Sequence, residues 1–403
     1  MNILFLTLSN INSIYESTIY TDMLREFINN GHNVYIVSPS ERRTNNPTHI
    51  IEEDICKILK VKVGNIQKSN VVEKGISTLM LERNYKSAIS KHLNNIRFDL
   101  ILYSTPPITL VSTIEYLKIR DNAKTYLLLK DIFPQNAVDL GMLSKTGMKS
   151  VLYNYFRAKE KRLYELSDYI GCMSQANVDF LLEHNPEISP NIVEVCPNTI
   201  EPLPVEKNER KIEEIKQKYK IPLNKTVFIY GGNLGKPQGI DFLIECLDSN
   251  KTNDQVYFVI AGSGTEFTKL KNFFKREKVT NAQLFSYLPK EDYETLANSC
   301  DVGLIFLDKR FTIPNFPSRL LSYMQASMPI LAATDVNTDI GDIIEQGKFG
   351  FWCESKSVEQ FDKKVQLLCD KKLRTQMGVK GRRYLEVNYT SKHSYEIIMS
   401  HFK

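Results

Sequence analysis

The sequence is short of the features that mark several large classes of protein. Its seven cysteines include no C-x-x-C pair, which is typical of reduced thiols rather than of a disulfide framework or a zinc site. There is no H-E-x-x-H and no D-x-D motif, so the sequence predicts no metal site. The net charge of +5 is small for 403 residues, and no aromatic and basic RNA motif accompanies it, which argues against nucleic-acid binding.

Long apolar runs and a secretory leader are also lacking. No stretch approaches the roughly 18 apolar residues of a membrane span. The first residues, MNILFLTLSN, show neither a basic lead nor a cleavage site, so we expect a cytoplasmic protein. With 403 residues, 42% of them hydrophobic and 25% charged, the chain is long enough for two domains, each with its own core.

Strand and helix patterns alternate in two successive runs, which predicts an α/β fold of two doubly wound domains with parallel sheets. In the first run, strands are predicted at 2–8, 33–37, 99–103, 124–129, 169–173 and 192–195. In the second run, they are predicted at 226–230, 256–261, 282–287, 301–306, 329–332 and 350–353. A charged, Pro-flanked linker begins near 201. We therefore place the domains at 1–200 and 201–385, with a C-terminal helix at 386–403 that packs back on the first domain.

The turn after the first predicted strand contains no glycine. It reads SNINSIYEST, whereas a nicotinamide-binding domain needs G-x-G-x-x-G at this point. The second run opens with YGGNLGKPQG, whose glycines have a different spacing, which also argues against a nicotinamide cofactor. The backbone N–H groups of this second turn, together with Lys236 just ahead of a predicted helix, favour the binding of a diphosphate.

Five blocks of sequence resemble glycosyltransferase family 4. They read VEVCPNTI (193–200), YGGNLGKPQGIDFLIECL (230–247), AGSGTEFTKL (261–270), LFSYLPKEDYETLANSCDVGLIF (284–306) and PSRLLSYMQASMPILA (317–332). The first half, with LKDIFPQNAVDLG and SDYIGCMSQAN, is similar to the WbuB-like branch that builds bacterial O-antigens and capsules. The resemblance implies a GT-B architecture, in which two Rossmann-like domains face each other across a cleft. It places a nucleotide-sugar donor on the second domain and an acceptor on the first.

The resemblance also implies a retaining, metal-independent glycosyltransferase that uses a UDP-linked sugar as its donor substrate and needs no cofactor. Within this branch, the expected sugar is an N-acetylated amino sugar such as N-acetylfucosamine. The expected acceptor is a glycan on a polyprenyl diphosphate lipid, which implies a protein held peripherally at the inner face of the cell membrane. Two alternatives stay open: a nucleotide-sugar epimerase of the same fold, and a non-catalytic partner subunit that kept the fold.

The donor turn departs from the family pattern. Many members carry arginine and lysine in a G-R-x(4)-K-G turn, and alignment on Gly232 and Gly239 puts Asn233 and Gln238 there instead. We therefore expect Lys236 and Arg319 to supply the positive charge. The alternatives are that Lys236 is a solvated lysine in a turn and that Arg319 forms a surface ion pair. Tyr287 is expected near the nucleobase or simply packed, and Ser322 stands where the family has a glutamate. The predicted donor-binding residues are Gly232, Asn233, Gly235, Lys236, Gly262, Ser263, Tyr287, Leu288, Ser318, Arg319 and Ser322.

Two charged residues, Lys130 and Asp131, stand where a buried strand is predicted to end. In TYLLLKDIFPQNAVDLG (125–141) they follow an apolar run, and ligands collect beyond the carboxyl ends of parallel strands. We predict that Asp131 accepts or orients the proton of the acceptor hydroxyl. The alternative is that Asp131 caps the turn before Pro134. We predict that Lys130 pairs with Asp131 or meets the donor phosphate.

A basic segment follows this strand. Residues 144–162, SKTGMKSVLYNYFRAKEKR, contain six basic residues and one acidic residue, and their apolar residues recur at helical spacing. We predict a helix that contacts the acceptor and the membrane surface through Lys145, Lys149, Tyr155, Phe156 and Arg157. The alternative is a helix that packs on the first core and has a solvated basic side.

Overall fold

The computed structural model describes residues 1–65, 71–204 and 208–402. The chain forms two compact units. Unit 1 comprises Met1–Glu201 and Thr390–Lys403, and unit 2 comprises Pro202–Tyr389. The contacts therefore divide the chain after 201 and after 389, whereas the sequence patterns placed the divisions after 200 and after 385. The predicted linker, which begins near 201, lies partly outside the described residues.

Unit 1 is built on a sheet that has eight strands among the described residues. The strands are β1 (Asn2–Leu6), β2 (Asn33–Glu41), β3 (His49–Glu53), β4 (Cys56–Val63), β5 (Leu100–Ser104), β6 (Lys124–Leu129), β7 (Tyr169–Cys172) and β8 (Val193–Val195). The helices before the linker are α1 (Ile19–Asn29), α2 (Val71–His92), α3 (Val111–Asp121), α4 (Gln135–Asp139), α5 (Ser150–Leu166) and α6 (Gln175–His184).

The strand order in unit 1 is β3-β4-β2-β1-β5-β6-β7-β8, and every pair is parallel except β3 with β4. The chain winds outward from β1 in both directions, so the order reverses between β1 and β5. Both faces of β1 are buried, because Ile3 and Phe5 belong to one apolar core while Leu4 and Leu6 belong to the other. A sheet of this kind offers its ligand crevice at the carboxyl ends of the strands beside the reversal.

Unit 2 contains a second parallel sheet. Its strands are β9 (Thr226–Asn233), β10 (Val256–Ser263), β11 (Ala282–Phe285), β12 (Val302–Phe306), β13 (Ile330–Thr334) and β14 (Gly350–Glu354). Its helices are α7 (Glu209–Lys218), α8 (Ile240–Ser249), α9 (Phe267–Glu277), α10 (Lys290–Ser299), α11 (Arg319–Gln325), α12 (Ile340–Gln346), α13 (Val358–Leu367) and α14 (Lys371–Asn388). The strand order is β11-β10-β9-β12-β13-β14, with the reversal between β9 and β12. The two parallel sheets confirm the predicted doubly wound α/β class.

The last helix of the chain, α15 (Ser391–Met399), belongs to unit 1 and packs on α1. The ring of Tyr395 stands edge-on to the ring of Phe27, with 4.9 Å between their centroids. The hydroxyl of Tyr395 lies 3.2 Å from Nε2 of His32. Ile398 is buried in the same core as Phe27. The first core is therefore closed by residues from the far end of the sequence.

Candidate functional site

Unit 2 contains a cavity of about 650 Å³ at the carboxyl ends of its central strands. β9 and β10 run side by side and end at Asn233 and Ser263, and Ser286 to Leu288 follow β11. Nine of the eleven predicted donor-binding residues line this cavity: Gly232, Asn233, Gly262, Ser263, Tyr287, Leu288, Ser318, Arg319 and Ser322. The cavity therefore lies at the edge of the sheet where doubly wound domains bind their ligands.

Glycines let the ends of β9 and β10 approach each other closely. A Cβ atom on Gly262 would lie 1.8 Å from the carbonyl oxygen of Gly232, and one on Gly264 would lie 2.3 Å from that of Leu234. Gly232 has a φ angle of +134°, which side chains rarely allow. This wall of the cavity is therefore formed largely by backbone rather than by side chains.

Arg319, the first residue of α11, supplies positive charge to this cavity. Its guanidinium carbon lies 4.3 Å from the centroid of the Tyr230 ring, a cation–π distance. A Cβ atom on Gly232 would lie 1.9 Å from Nη2 of Arg319, so the glycine makes room for the guanidinium. Tyrosines surround Arg319, and it forms no ion pair among the described residues. The alternative of a surface ion pair is therefore wrong, and the half-buried cation is left for an anionic ligand.

The structure does not bring Gly235 and Lys236 into the cavity. Lys236 is exposed at the start of a one-turn 3₁₀ helix, Lys236–Gln238. The backbone N–H of Gly235, which we expected to face a diphosphate, donates to Oε1 of Gln238 at 3.2 Å. Asn233 donates its side-chain amide to the same oxygen at 3.0 Å. The two neutral residues that replace the family's cations therefore bond to each other and close this turn.

Sequence reasoning missed four residues that line the cavity: Gly231, Ala261, Ser286 and Tyr293. Among these, Tyr293 packs closely on the end of β9, since a Cβ atom on Gly231 would lie 1.9 Å from its hydroxyl oxygen. Burial raises the pKa of the Tyr293 hydroxyl. The glycine pair in YGGN was the available signal, because the first glycine accommodates a ring and the second accommodates Arg319. Tyr287 is 79% exposed, so the alternative that it is simply packed is wrong.

In unit 1, Asp131 lies in the turn after β6, close to where the sequence predicted. Its two carboxylate oxygens accept hydrogen bonds from Nδ2 of Asn136 at 2.8 and 2.9 Å. Burial raises the pKa of Asp131 to about 6, against the lowering effects of the Asn136 amide and the backbone N–H of Ile132. A carboxyl group with this pKa is ionised at neutral pH and is still a useful proton acceptor.

Lys130 does not pair with Asp131, so that part of the prediction is wrong. Its Nζ donates to the carbonyl oxygen of Cys196 at 3.1 Å, and burial lowers the pKa of the lysine. Consecutive residues at the end of a strand project to opposite faces, which separates the two charged groups. Thr105 links their backbones, since its Oγ1 accepts from the N–H of Lys130 at 2.9 Å and from that of Asp131 at 3.2 Å.

The predicted basic helix begins later than expected. α5 starts at Ser150, so Lys145 and Lys149 precede it. Arg157 forms an ion pair with Glu160 and donates to Oδ1 of Asn185 at 2.6 Å. Phe156 packs on the first core, with its ring 4.9 Å from that of Phe133. Neither side chain is therefore free to meet a membrane, and Lys159, Lys161 and Arg162 are in ion pairs as well.

The first part of this segment leaves an apolar patch in solvent. We define the α5 patch as Met148, Val151, Leu152 and Tyr155, which are exposed large side chains. Met148 reaches 95% exposure. Lys145 and Lys149 are exposed beside it and form no ion pair among the described residues. None of the described helices is long and apolar enough to cross a membrane.

The two units therefore offer different chemistry. Unit 2 offers a cation set against glycine backbone, which suits phosphate oxygens. Unit 1 offers a carboxylate that can accept a proton. Within the described part of the chain, no three His, Cys, Asp or Glu side chains are placed to hold a metal ion.

Proteins similar to this chain are described as glycosyltransferases. The profile of the family described as Glycosyl transferases group 1 matches residues 211–384, which lie in unit 2. Over 299 residues, the chain is 26% identical to the probable glycosyltransferase WbjE of Pseudomonas aeruginosa, covering 73% of this chain and 72% of that protein. The chain is a glycosyltransferase. A 22% identical match over 134 residues, 33% of each chain, links it to the putative colanic acid biosynthesis glycosyl transferase WcaI of Escherichia coli K12.

Solved structures share the fold of this glycosyltransferase over its whole length. Anabaena Alr3699/HepE in complex with UDP and glucose matches with a TM-score of 0.71 at 14% identity, covering 100% of this chain and 99% of that one. WaaG, a glycosyltransferase involved in lipopolysaccharide biosynthesis, matches with a TM-score of 0.65 at 14% identity, covering 98% and 99%. The predicted GT-B fold is thereby confirmed.

Proposed function

We propose that this glycosyltransferase moves a sugar from a UDP-sugar to a lipid-linked glycan during the synthesis of a bacterial surface polysaccharide. The observation that carries the proposal is Arg319, a half-buried cation that has no ion-pair partner among the described residues and is set against a glycine wall in the unit 2 cavity. The relatives support it, since HepE binds UDP and glucose and WaaG acts in lipopolysaccharide biosynthesis. The WbuB-like resemblance favours an N-acetylated amino sugar such as N-acetylfucosamine.

The donor half of the reaction requires a diphosphate to leave with the bonding electrons of the sugar–oxygen bond. Negative charge then builds up on the phosphate oxygens, and Arg319 and the backbone N–H groups near Gly262 are suited to stabilise it. We propose that these groups hold the diphosphate without a metal ion and that no cofactor is needed. Ser318 and Ser322 line the same cavity, and we propose that they bond to the phosphate or the ribose.

The acceptor half of the reaction requires a proton to leave a hydroxyl group. We propose that Asp131 takes this proton while the hydroxyl oxygen bonds to the anomeric carbon and UDP departs. Its raised pKa supports the role, because a stronger base accepts a proton more readily while staying ionised at neutral pH. We further propose a retaining reaction, on the resemblance to family 4, which in a single step requires the hydroxyl oxygen to approach the anomeric carbon on the face that UDP leaves.

The lipid of such an acceptor stays in the bilayer, so the enzyme has to approach a membrane surface. We propose that the α5 patch enters the interface and that Lys145 and Lys149 contact anionic lipid at the inner face of the cell membrane. Apolar side chains flanked by exposed cations have the chemistry of a peripheral membrane contact.

The test of the proposal is calorimetric titration with UDP. Arg319→Gln removes a charge-assisted contact of about 1.5–3 kcal/mol, so UDP affinity should fall about 10- to 100-fold. Arg310→Gln is the matched control, because Arg310 is already bonded to Asp308 at 2.8 Å and should leave UDP affinity unchanged. The proposal would be contradicted if the wild type bound neither UDP nor UDP-sugars at millimolar concentration. It would also be contradicted if Arg319→Gln bound UDP as tightly as the wild type.

A further inference from the structure

Unit 1 contains another cavity, of about 270 Å³, to which the reaction above gives no role. It lies beside the loop between β1 and α1, and it is bounded by the end of β2 and by β3 and β4. Its charged and amide-bearing lining residues include Asn10, Asn12, Glu41, Arg43 and Lys60.

Lys60 is the unusual member of this lining, because it is only 3% exposed. Its Nζ lies within hydrogen-bond distance of four acceptors: Oδ1 of Asn10 at 2.6 Å, the carbonyl oxygen of Ile11 at 2.8 Å, Oδ1 of Asn12 at 3.2 Å and Oγ of Ser38 at 3.2 Å. These acceptors are all neutral, and Lys60 forms no ion pair in the described ranges of the chain. Burying an ammonium group without a counter-charge in direct contact is unfavourable, so an anionic ligand beside Lys60 would be stabilised.

The contacts of Lys60 also orient the asparagines. Since Oδ1 of Asn10 and Oδ1 of Asn12 face the ammonium, their amide NH₂ groups face away from it. The NH₂ of Asn12 lies 3.4 Å from Oε1 of Glu16, whereas that of Asn10 has no acceptor among the described residues. Arg43 and Glu41 line the same cavity and form an ion pair at 2.7 Å, so Lys60 is the source of its net positive charge. The cavity therefore combines hydrogen-bond donors with the field of a buried cation.

Lys60 keeps its charge at neutral pH. Burial lowers its pKa to about 8, and the negative charge of Glu16 acts in the opposite direction. A group with this pKa is mostly protonated at pH 7. An anion beside it would recover part of the solvation energy that the ammonium lost on burial.

We propose that this cavity binds an oxyanion carried by the acceptor, either the carboxylate of an acidic sugar or a phosphate group. The inference rests on the proposed function, in which unit 1 holds the acceptor. Asn10 and Arg43 donate to the anion, and Lys60 acts through its charge and through the loop that it holds in place.

Calorimetry on the full chain tests the inference with three probes: D-glucuronate, inorganic phosphate and the neutral control D-glucose. Each is titrated at saturating UDP and constant ionic strength, so that Arg319 is already occupied. At least one anion should bind about tenfold tighter than glucose, and which of them does so distinguishes an acidic sugar from a phosphate group. If neither anion binds more tightly than glucose, the inference is overturned.

Two variants separate the charge of Lys60 from its role in folding. Asn10→Asp places a carboxylate against the ammonium, so the melting temperature should be unchanged or higher while anion affinity falls about tenfold or more. Lys57→Gln is the matched control on the same strand, because Lys57 is exposed and pairs with Glu52 at 2.9 Å. An Asn10→Asp protein that binds the anion as tightly as wild type would overturn the inference.

Failure of the proposed function has a different signature. If the wild type binds glucuronate or phosphate but not UDP, the donor assignment in unit 2 is contradicted and the oxyanion cavity is supported. In that case UDP cannot be used to occupy Arg319. The same titrations are then repeated with Arg319→Gln, which removes that cation from the unit 2 cavity.

Discussion

The hydrogen bonds between Asn136 and Asp131 should set the pH at which the enzyme becomes active. The Asn136 amide donates to both carboxylate oxygens, at 2.8 and 2.9 Å, and so stabilises the ionised form of Asp131. Its own Oδ1 is buried without a partner in the described residues, so Asn136→Ala removes no other side-chain hydrogen bond. Alanine at this position should therefore raise the pKa of Asp131.

The size of the shift follows from the strength of the lost contact. A hydrogen bond to a charged group contributes about 1.5–3 kcal/mol, and about 1.4 kcal/mol corresponds to one pH unit. The pKa of Asp131, raised by burial to about 6, should then rise by a further one to two pH units, roughly. Since the base form prevails only above the pKa, transfer by the variant at pH 6.5 should suffer much more than transfer at pH 8.5.

The assay is the pH dependence of kcat/KM for sugar transfer, which reports ionisations of the free enzyme. The wild type should show an acidic limb with a midpoint near the pKa of Asp131, and Asn136→Ala should move that midpoint upward. Asn154→Ala serves as control, because Asn154 is exposed on α5. Asp131→Asn should lower transfer by about 10²- to 10⁴-fold and abolish the limb. An Asn136→Ala profile that coincides with wild type would refute the reasoning.

Further expectations concern the membrane and the glycine wall. The double substitution of Lys145 and Lys149 by glutamine should weaken co-sedimentation with anionic vesicles about 30-fold at low salt, since each cation contributes about 1 kcal/mol. Lys161→Gln should leave co-sedimentation unchanged, because Lys161 is paired with Glu187. If this variant lost as much vesicle binding as the double variant, the role of the α5 patch would be contradicted. Gly262→Ala should abolish UDP binding or lower the melting temperature, because its Cβ would overlap the Gly232 oxygen; normal UDP affinity and stability would count against this packing.

The sequence predicts the strands with continuous apolar runs well and misses the edge of the first sheet. β4 reads CKILKVKV, and because of its three lysines the segment resembles a solvent-exposed stretch. Two of them, Lys57 and Lys62, are exposed, but Lys60 is buried by the loop after β1. Whether a lysine in an alternating strand faces water depends on residues far away in sequence, so local pattern alone does not predict the buried cation.

The candidate site shows the same division between local and tertiary information. Motif spacing predicts most of the lining of the unit 2 cavity, because backbone turns and helix starts are encoded locally. The spacing does not show that Gln238 occupies the N–H of Gly235, nor that Lys130 bonds to Cys196 rather than to Asp131. Those pairings depend on which groups the fold brings within hydrogen-bond distance.

The return of α15 to unit 1 affects how this chain can fold during synthesis. When the first 201 residues have left the ribosome, the apolar face of α1 around Phe27 still lacks the cover that Tyr395 and Ile398 provide. That cover is translated only after the whole of unit 2, which is one continuous segment. The contacts that complete unit 1 are therefore made only after unit 2 has been synthesised, although unit 1 is the first to be started.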